Sequence, residues 1–265
     1  MKSRYPKEFQ FSLISLLAAT IVIQTIWTVW VRPNAQAVLA VQYEAMSKDP
    51  NYVSERSLFV VMKDWEQESC VILMIWALAM IGFKNRTSRG ERELLEQDPV
   101  RVPEGMRILP EDTREYVRQL ESLPSEHQQS LVVRASKAAL ARFGATRNVQ
   151  DVSDAGHAVC QAEAERLDSE LSMIRYIAWA IPAIGFIGTV RGIGDALAEA
   201  HKAVTGDISG VTEGLGVAFN STLVALLLSL LLMFLIHNLQ LAQERLVLDV
   251  ETYLDNRLLR NLQVR

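Results

Sequence analysis

Apolar runs long enough to cross a lipid bilayer constrain the fold of this chain more than any other feature. A transmembrane helix needs about 20 predominantly apolar residues, and segments 11–31, 174–197 and 217–236 meet that requirement. Segment 70–83 is shorter, but apolar residues upstream of it at helical spacing predict a helix that starts near Ser54 and enters the membrane. Because a backbone in lipid must satisfy its own hydrogen bonds, we predict an all-α membrane protein with four transmembrane helices.

Charged residues beside these runs predict the orientation. Three basic residues precede the first run, and four follow the second: Lys2, Arg4 and Lys7, then Lys84, Arg86, Arg89 and Arg92. The connection 33–69 holds three basic and six acidic residues. Basic residues concentrate on the cytoplasmic side of membrane proteins. We therefore expect a multi-pass membrane protein with both termini in the cytoplasm.

The chain divides into six segments on this basis. Segment 1–32 contains the first span, 33–69 is extracytoplasmic, 70–83 is the second span, and 84–170 is a cytoplasmic helical domain. Segment 171–240 contains the third and fourth spans, and 241–265 is a cytoplasmic helix. We expect helices at 110–123 and at 124–143, the latter capped by Ser125, and a third from Asp151 or Ser153 into the third span. Two of the transmembrane helices would thus extend into a cytoplasmic bundle.

Composition excludes several classes of function. The formal net charge of −4 provides no basic field for nucleic acid. The two cysteines lie far apart and are expected to be free thiols. No phosphate-binding loop, metal-ligand cluster or nucleophile with a nearby base is present in the sequence. We therefore expect a protein that is not an enzyme and that needs no cofactor or metal.

The third span contains many small and polar residues. Gly188 and Gly192 form a pair four residues apart, which lets another helix approach closely. Four small residues spaced by four, three and four positions share one helical face: Gly185, Thr189, Gly192 and Ala196. Pro182 leaves one carbonyl of its own helix without a partner. This face predicts either tight helix packing or contact with a partner helix.

The fourth span repeats this arrangement. Its small residues form one weakly polar stripe: Gly214, Ala218, Thr222, Ala225 and Ser229. Asn220 and Ser221 add polarity beside Thr222. A hydroxyl can pass on a proton or an ion without carrying charge, so Thr189, Asn220, Ser221 and Thr222 are candidate residues of an ion path. The alternative is that each hydroxyl only bonds back to a carbonyl of its own helix.

Charged residues are scarce inside the predicted spans. No Asp or Glu lies within the first, second or fourth span as bounded above, and the third contains only Asp195 near its outer end. Proton-moving membrane proteins use a titratable carboxyl at depth, so we expect a partner to supply it. Arg191 and Asp195 are four residues apart and can meet on one face. Arg191 either pairs with Asp195 near the outer interface, or it contacts the partner helix or guards the outer end of the path.

Two segments resemble the MotA/TolQ/ExbB proton-channel family. Segment 181–197, IPAIGFIGTVRGIGDAL, is similar to the family signature of the transmembrane helix that precedes the short outer loop. Segment 214–231, GLGVAFNSTLVALLLSLL, is similar to the family signature of the transmembrane helix that follows this loop. The four-span layout is like that of MotA, whereas the threonine pair resembles TolQ and ExbB. Two positions depart from the pattern: Arg191 stands where Trp or Leu is usual, and Val217 where TolQ and ExbB carry a glutamate.

The resemblance implies the channel-forming subunit of an ion-driven stator, with 171–240 as its channel domain. Five copies would surround a dimer of a single-span partner of the MotB/TolR/ExbD type. The membrane aspartate of that partner carries the ion, which is a proton by resemblance, with sodium as the alternative. The resemblance also implies a location in the bacterial inner membrane. Thr189 and Thr222 would line the path, and Gly185, Gly188, Gly192, Ala218, Ala225 and Ser229 would serve partner contact or helix packing. The alternative functions are a non-conducting membrane scaffold of the same fold or, less well supported, a secondary transporter.

Overall fold

The computed structural model describes residues 7–48, 57–103, 106–125 and 127–263. The regular elements in these ranges are helices, and one isolated bridge joins Ile108 to Leu262. Eight α-helices are present in the described part of the chain: α1 Lys7–Ile26, α2 Arg32–Lys48, α3 Leu58–Val61, α4 Trp65–Glu96, α5 Thr113–Glu121, α6 Leu131–Thr146, α7 Val149–Ala203 and α8 Ser209–Tyr253. The prediction of an all-α protein is confirmed.

Four helical stretches are long and apolar enough to cross a membrane, as predicted. They are Phe9–Ala45, Trp65–Glu96, Val149–Ala203 and Ser209–Asn261. The chain forms two compact units. The membrane unit comprises Met1–Ile81 and Met173–Ile236, and the helical unit comprises Gly82–Ser172 and His237–Arg265. Three transmembrane helices, α4, α7 and α8, contribute residues to both units, whereas the sequence predicted two.

The first transmembrane helix continues far beyond the predicted span. A π-helical turn, Trp27–Val31, joins α1 to α2, and the Arg32 N–H donates to the Trp27 carbonyl five residues back. This wider turn lies directly before Pro33, which has no N–H for an ordinary helical bond. Trp27 is buried, and its indole N–H donates to the Met62 carbonyl over 2.9 Å. The turn thus carries the side chain that anchors this helix to the segment preceding α4.

The start of the second transmembrane helix differs from the prediction. Ser54 lies outside the described residues, and the chain from Ser57 forms the short helix α3 and then a turn before α4 starts at Trp65. The segment predicted as the span, 70–83, lies inside α4. The first turn of α4 places Glu66, Gln67 and Glu68 at 0–4% exposure. The apolar run 70–83 itself contains no acidic residue, and the buried carboxylates lie in the polar N-terminal extension of its helix.

The two small-residue stripes pack against each other within the chain. A Cβ added to Gly192 would lie 2.5 Å from both the Ala218 nitrogen and the Gly214 oxygen. A Cβ on Gly214 would lie 2.6 Å from the Ala196 nitrogen, and one on Gly185 would collide with the Ala225 side chain. The backbones of α7 and α8 therefore touch where these glycines lie. The glycines of the small faces therefore serve helix packing within the chain, whereas Thr189 and Thr222 are only half-buried.

Pro182 leaves a carbonyl free, as the sequence predicted, and α8 satisfies it. The carbonyl four residues before Pro182 belongs to Ala178, and the Ser229 hydroxyl donates to it over 3.0 Å. Helix α7 therefore passes through Pro182 without interruption. This bond gives Ser229, at the end of the predicted stripe, a structural role.

Replacing Ser229 with alanine should destabilise the membrane unit, because the Ala178 carbonyl loses its donor. The expected decrease in the free energy of unfolding is about 1–2 kcal/mol, the cost of leaving such a group unsatisfied. Thermal unfolding of the detergent-solubilised protein measures it. Thr25→Val is the matched control, because the Thr25 hydroxyl is exposed and only bonds back to the Ile21 carbonyl of its own helix. Equal stability of the two variants would contradict this role.

The helical unit has an apolar core of its own, built around residues such as Leu120, Leu140 and Phe143. Its helix α6 begins at Leu131, so the predicted cap at Ser125 is wrong. The side chain of Glu91 on α4 accepts the Leu131 N–H over 2.9 Å. An acceptor from a distant helix thus replaces the local cap. Helix α7 likewise begins at Val149, slightly before the predicted start.

Candidate functional site

Three hydroxyl groups meet between α7 and α8 inside the membrane unit. The hydroxyls of Thr189 and Thr222 are hydrogen-bonded to each other. Ser221 and Thr222 both donate to the Gly185 carbonyl, over 3.3 and 3.2 Å. Glycine at position 185 permits the close approach of α8, because a Cβ there would lie 3.1 Å from the backbone carbonyl oxygen of Ser221. We call Thr189, Ser221 and Thr222 the hydroxyl cluster.

Each hydroxyl of the cluster has more acceptors in reach than protons to donate. Thr189 reaches Gly185 O at 3.3 Å, Ala218 O at 3.2 Å and the Thr222 oxygen. Ser221 reaches Ala218 O at 3.1 Å as well as Gly185 O. Because a hydroxyl donates one hydrogen and accepts others, the cluster can exchange between several hydrogen-bond arrangements. Bonds back to the same helix and bonds across to the neighbouring helix are thus both available.

Asn220, the fourth residue predicted for the path, takes no part in the hydrogen bonds that join the cluster. It is half-buried, one position before Ser221 on α8. The structure thus brings together three of the four predicted polar residues. Among the described residues, no group of three or more His, Cys, Asp or Glu side chains is placed to hold a metal ion.

Arg191 pairs with a carboxylate that the sequence did not point to. Its Nε donates to Glu66 Oε1 over 2.7 Å, and its Nη2 donates to Glu66 Oε2 over 3.0 Å. The expected partner, Asp195, is farther away, with 3.5 Å between Nη1 and Oδ2. Two parallel bonds to one carboxylate are the strongest arrangement for a guanidinium. Arg191 therefore forms the predicted ion pair with Asp195 and binds Glu66 of α4 more closely.

A second pair on α4 lies two residues from the first. Glu68 Oε2 accepts a bond of 2.7 Å from Arg32, and the Glu68 side chain is only 5% exposed. The opening turn of α4 thus carries two buried carboxylates, each paired with an arginine from a different transmembrane helix. Only the Glu66 pair lies beside the small face of α7, because a Cβ on Gly188 would lie 3.1 Å from Glu66 Cγ.

Arg191 also faces a polar cavity of about 420 Å³ at the end of the membrane unit where residues 204–208 connect α7 to α8. Five acidic and three basic side chains line the cavity, which leaves an excess of two negative charges: Asp64, Asp195, Glu199, Asp207 and Glu213 against Lys63, Arg191 and Lys202. Arg191 lies 3.6 Å from Asp64, and Lys63 pairs with Glu213 at 3.0 Å. The surplus of carboxylates makes the cavity attractive to cations.

Asp207 contributes one of these charges and also organises the start of α8. Its Oδ1 accepts the Ser209 N–H over 3.0 Å and the Ser209 hydroxyl. These hydrogen bonds to the ionised form, the hydroxyl bond first, lower the pKa of Asp207 below its ordinary value. The carboxylate therefore stays negative at the mouth of the cavity at neutral pH and somewhat below it.

Sequence reasoning did not single out Glu66 and Glu68, although the helix predicted from near Ser54 into the membrane already contained them. The apolar run 70–83 is too short to span a bilayer, so its helix must be extended at one end. Extension upstream brings the polar stretch DWEQES, residues 64–69, into the helix. The partner of Glu66 was beyond prediction, since Arg191 is 125 residues away in the chain.

Comparison with known families gives one match. Residues 127–252 match the model of the MotA/TolQ/ExbB proton channel family. The matched region contains α6, α7 and nearly all of α8, and therefore also the hydroxyl cluster. Helix α4, with Glu66, lies outside the matched region. Searches of curated proteins and of solved structures found no significant match.

Proposed function

Because residues 127–252 place this chain in the MotA/TolQ/ExbB proton channel family, we propose that it is the channel-forming subunit of a stator driven by an ion gradient. The observation that supports this proposal is the hydroxyl cluster. Three hydroxyls with exchangeable hydrogen bonds lie between two transmembrane helices, at the positions where the family resemblance implies a path. A chain of such groups can relay a proton without carrying charge.

In this proposal the mobile carboxyl belongs to a partner. Five copies of the chain surround two copies of a single-span protein of the MotB/TolR/ExbD type, whose membrane aspartate passes the hydroxyl cluster. The cluster itself contains no titratable group, which fits a path that needs an external proton carrier. The transported ion is the proton, and sodium is the alternative because hydroxyl oxygens can also bind it.

The proposed orientation places the helical unit in the cytoplasm of a bacterium. Four basic residues of α4 follow the point at which this helix passes from the membrane unit into the helical unit: Lys84, Arg86, Arg89 and Arg92. Because basic residues concentrate on the cytoplasmic side of membrane proteins, they support a cytoplasmic helical unit. The cavity beside residues 204–208 then opens to the outside. Cations would enter there under the membrane potential, and their flow would drive rotation or force on a load.

Ion flux in proteoliposomes tests the proposal. The chain is co-expressed with the product of a neighbouring reading frame that has one span and a membrane Asp, and the complex is reconstituted with a pH-sensitive dye inside. We expect an imposed potential to drive proton flux only when both proteins are present. An Asn in place of the partner's membrane Asp should abolish the flux.

A non-conducting scaffold remains the competing function, favoured by the close packing of α7 on α8. It predicts that the two proteins form an intact complex that passes neither protons nor sodium. Flux measured in separate proton and sodium gradients, on complexes of verified composition, distinguishes the two functions. Absence of both fluxes from an intact complex would refute the channel proposal.

A further inference from the structure

Glu66 is a charged group without any exposed surface in the membrane unit. Its side chain is 0% exposed and accepts both of its short bonds from Arg191. Burying the Glu66 carboxylate has a desolvation cost of several kcal/mol that its attraction to Arg191 only roughly offsets. Replacing a buried ion pair with apolar side chains of similar volume is often neutral or stabilising, so such a pair is weak evidence for a role in stability. The pair therefore calls for a role other than stability.

The position of the pair points to that role. On one side, Glu66 Cγ packs at Gly188, where an added Cβ would also collide with the Ser221 side chain. Ser221 shares the Gly185 carbonyl with Thr222. On the other side, Arg191 is 34% exposed and lines the polar cavity. The ion pair thus lies between the cavity and the hydroxyl cluster, in the direction that an entering ion would take.

The net charge around the Glu66–Arg191 pair determines whether a cation is attracted or repelled there. An uncompensated guanidinium there would raise the potential at the mouth of the path and repel cations. Glu66 cancels that charge at contact distance, while Asp64 and Asp195 add two negative charges at 3.6 and 3.5 Å from Arg191. The other charged groups nearby are already paired, Lys63 with Glu213 and Glu68 with Arg32.

We propose that Glu66 is the residue that makes the path cation-permeable, by holding the Arg191 guanidinium and cancelling its charge between the cavity and the hydroxyl cluster. Glu66 is thus a selectivity-determining residue that acts through Arg191 and does not itself carry the ion. The inference rests on the proposed channel function. It concerns α4, which lies outside the family-matched region 127–252.

The test compares proton flux through the reconstituted complex of chain and partner for four forms of the chain. Glu66→Gln keeps the size of the side chain but leaves Arg191 only its longer contacts with Asp64 and Asp195. The potential between the cavity and the hydroxyl cluster then becomes more positive, so flux should fall on the order of tenfold. Glu66→Gln combined with Arg191→Gln removes both charges and should restore flux to within about twofold of the unsubstituted chain. Glu68→Gln is the matched control, a buried carboxylate on the same helix turn, and should leave flux unchanged per assembled complex.

Ionic strength provides a readout that a merely structural role would not change. Arg191 lines the polar cavity and is 34% exposed, so the deficit of Glu66→Gln should shrink as the Debye length falls from about 30 Å at 0.01 M salt to about 3 Å at 1 M. Unchanged flux in Glu66→Gln, a double variant as impaired as the single one, or an equal deficit in Glu68→Gln would each overturn the proposal. Absence of flux from the unsubstituted complex would instead refute the channel function.

Discussion

Replacing Thr222 with valine is expected to reduce ion flux through the complex by about a hundredfold, the low end of what a positioned proton-transfer group contributes. Valine has nearly the same shape as threonine but has no hydroxyl, so it breaks the bonds from Thr222 to Thr189 and Gly185. Stability should change by no more than about 1 kcal/mol, because Gly185 O keeps other donors in reach. Flux per assembled complex in proteoliposomes measures the effect, and Thr189→Val should behave alike.

Thr212→Val is the matched control for this experiment. Thr212 lies on the same helix, but its hydroxyl is exposed and bonds only to Ile208 O and Ser209 O at the start of α8. Its flux should equal that of the unsubstituted chain. If both Thr222→Val and Thr189→Val conduct normally, the hydroxyls serve packing alone and the path lies elsewhere.

The second large effect is expected at Gly192, where alanine should destabilise the membrane unit by about 3 kcal/mol, the upper end of overpacking costs. The added methyl would lie 2.5 Å from backbone atoms of Ala218 and Gly214. Backbone cannot rotate away as a side chain can, so α7 and α8 must move apart. The unfolding temperature and the yield of folded protein in detergent measure the loss.

Gly194→Ala controls for the intrinsic effect of the substitution on helix α7. Nothing lies within 4 Å of a Cβ at Gly194, two residues from Gly192 on the same helix. Alanine there should be neutral or stabilising by about 0.5–1 kcal/mol, because glycine in a helix costs that much conformational entropy. Similar losses in Gly192→Ala and Gly194→Ala would mean that the close approach of α7 to α8 is not what stabilises the unit.

Two buried glutamates in the first turn of α4 each pair with an arginine from another transmembrane helix. Glu68 binds Arg32 of the first transmembrane helix, and Glu66 binds Arg191 of the third. Both carboxylates are buried, but only Glu66 adjoins Gly188 and the hydroxyl cluster. Comparison of the two pairs therefore separates the effect of burying charge from the effect of placing charge on a path.

Much of the fold was determined by the sequence alone, because it depends on local quantities. The length of the apolar runs against the thickness of a bilayer predicts four transmembrane helices, and a helical period of 3.6 residues places Gly185, Thr189 and Gly192 on one face. The free carbonyl before Pro182 also follows from covalent structure alone. Each of these inferences needs only residues that are close together in the chain.

The tertiary structure alone decided which groups meet. Whether the small face of α7 touches α8 or a partner depends on how the helices pack, and so does the identity of the group that satisfies the Ala178 carbonyl. Arg191 pairs with Asp195 one turn away at 3.5 Å, but its two shorter bonds go to Glu66, 125 residues distant. The physical reason is that helical periodicity orients a face without specifying its neighbour. Only the packing of α4 against Gly188 brings Glu66 to the guanidinium.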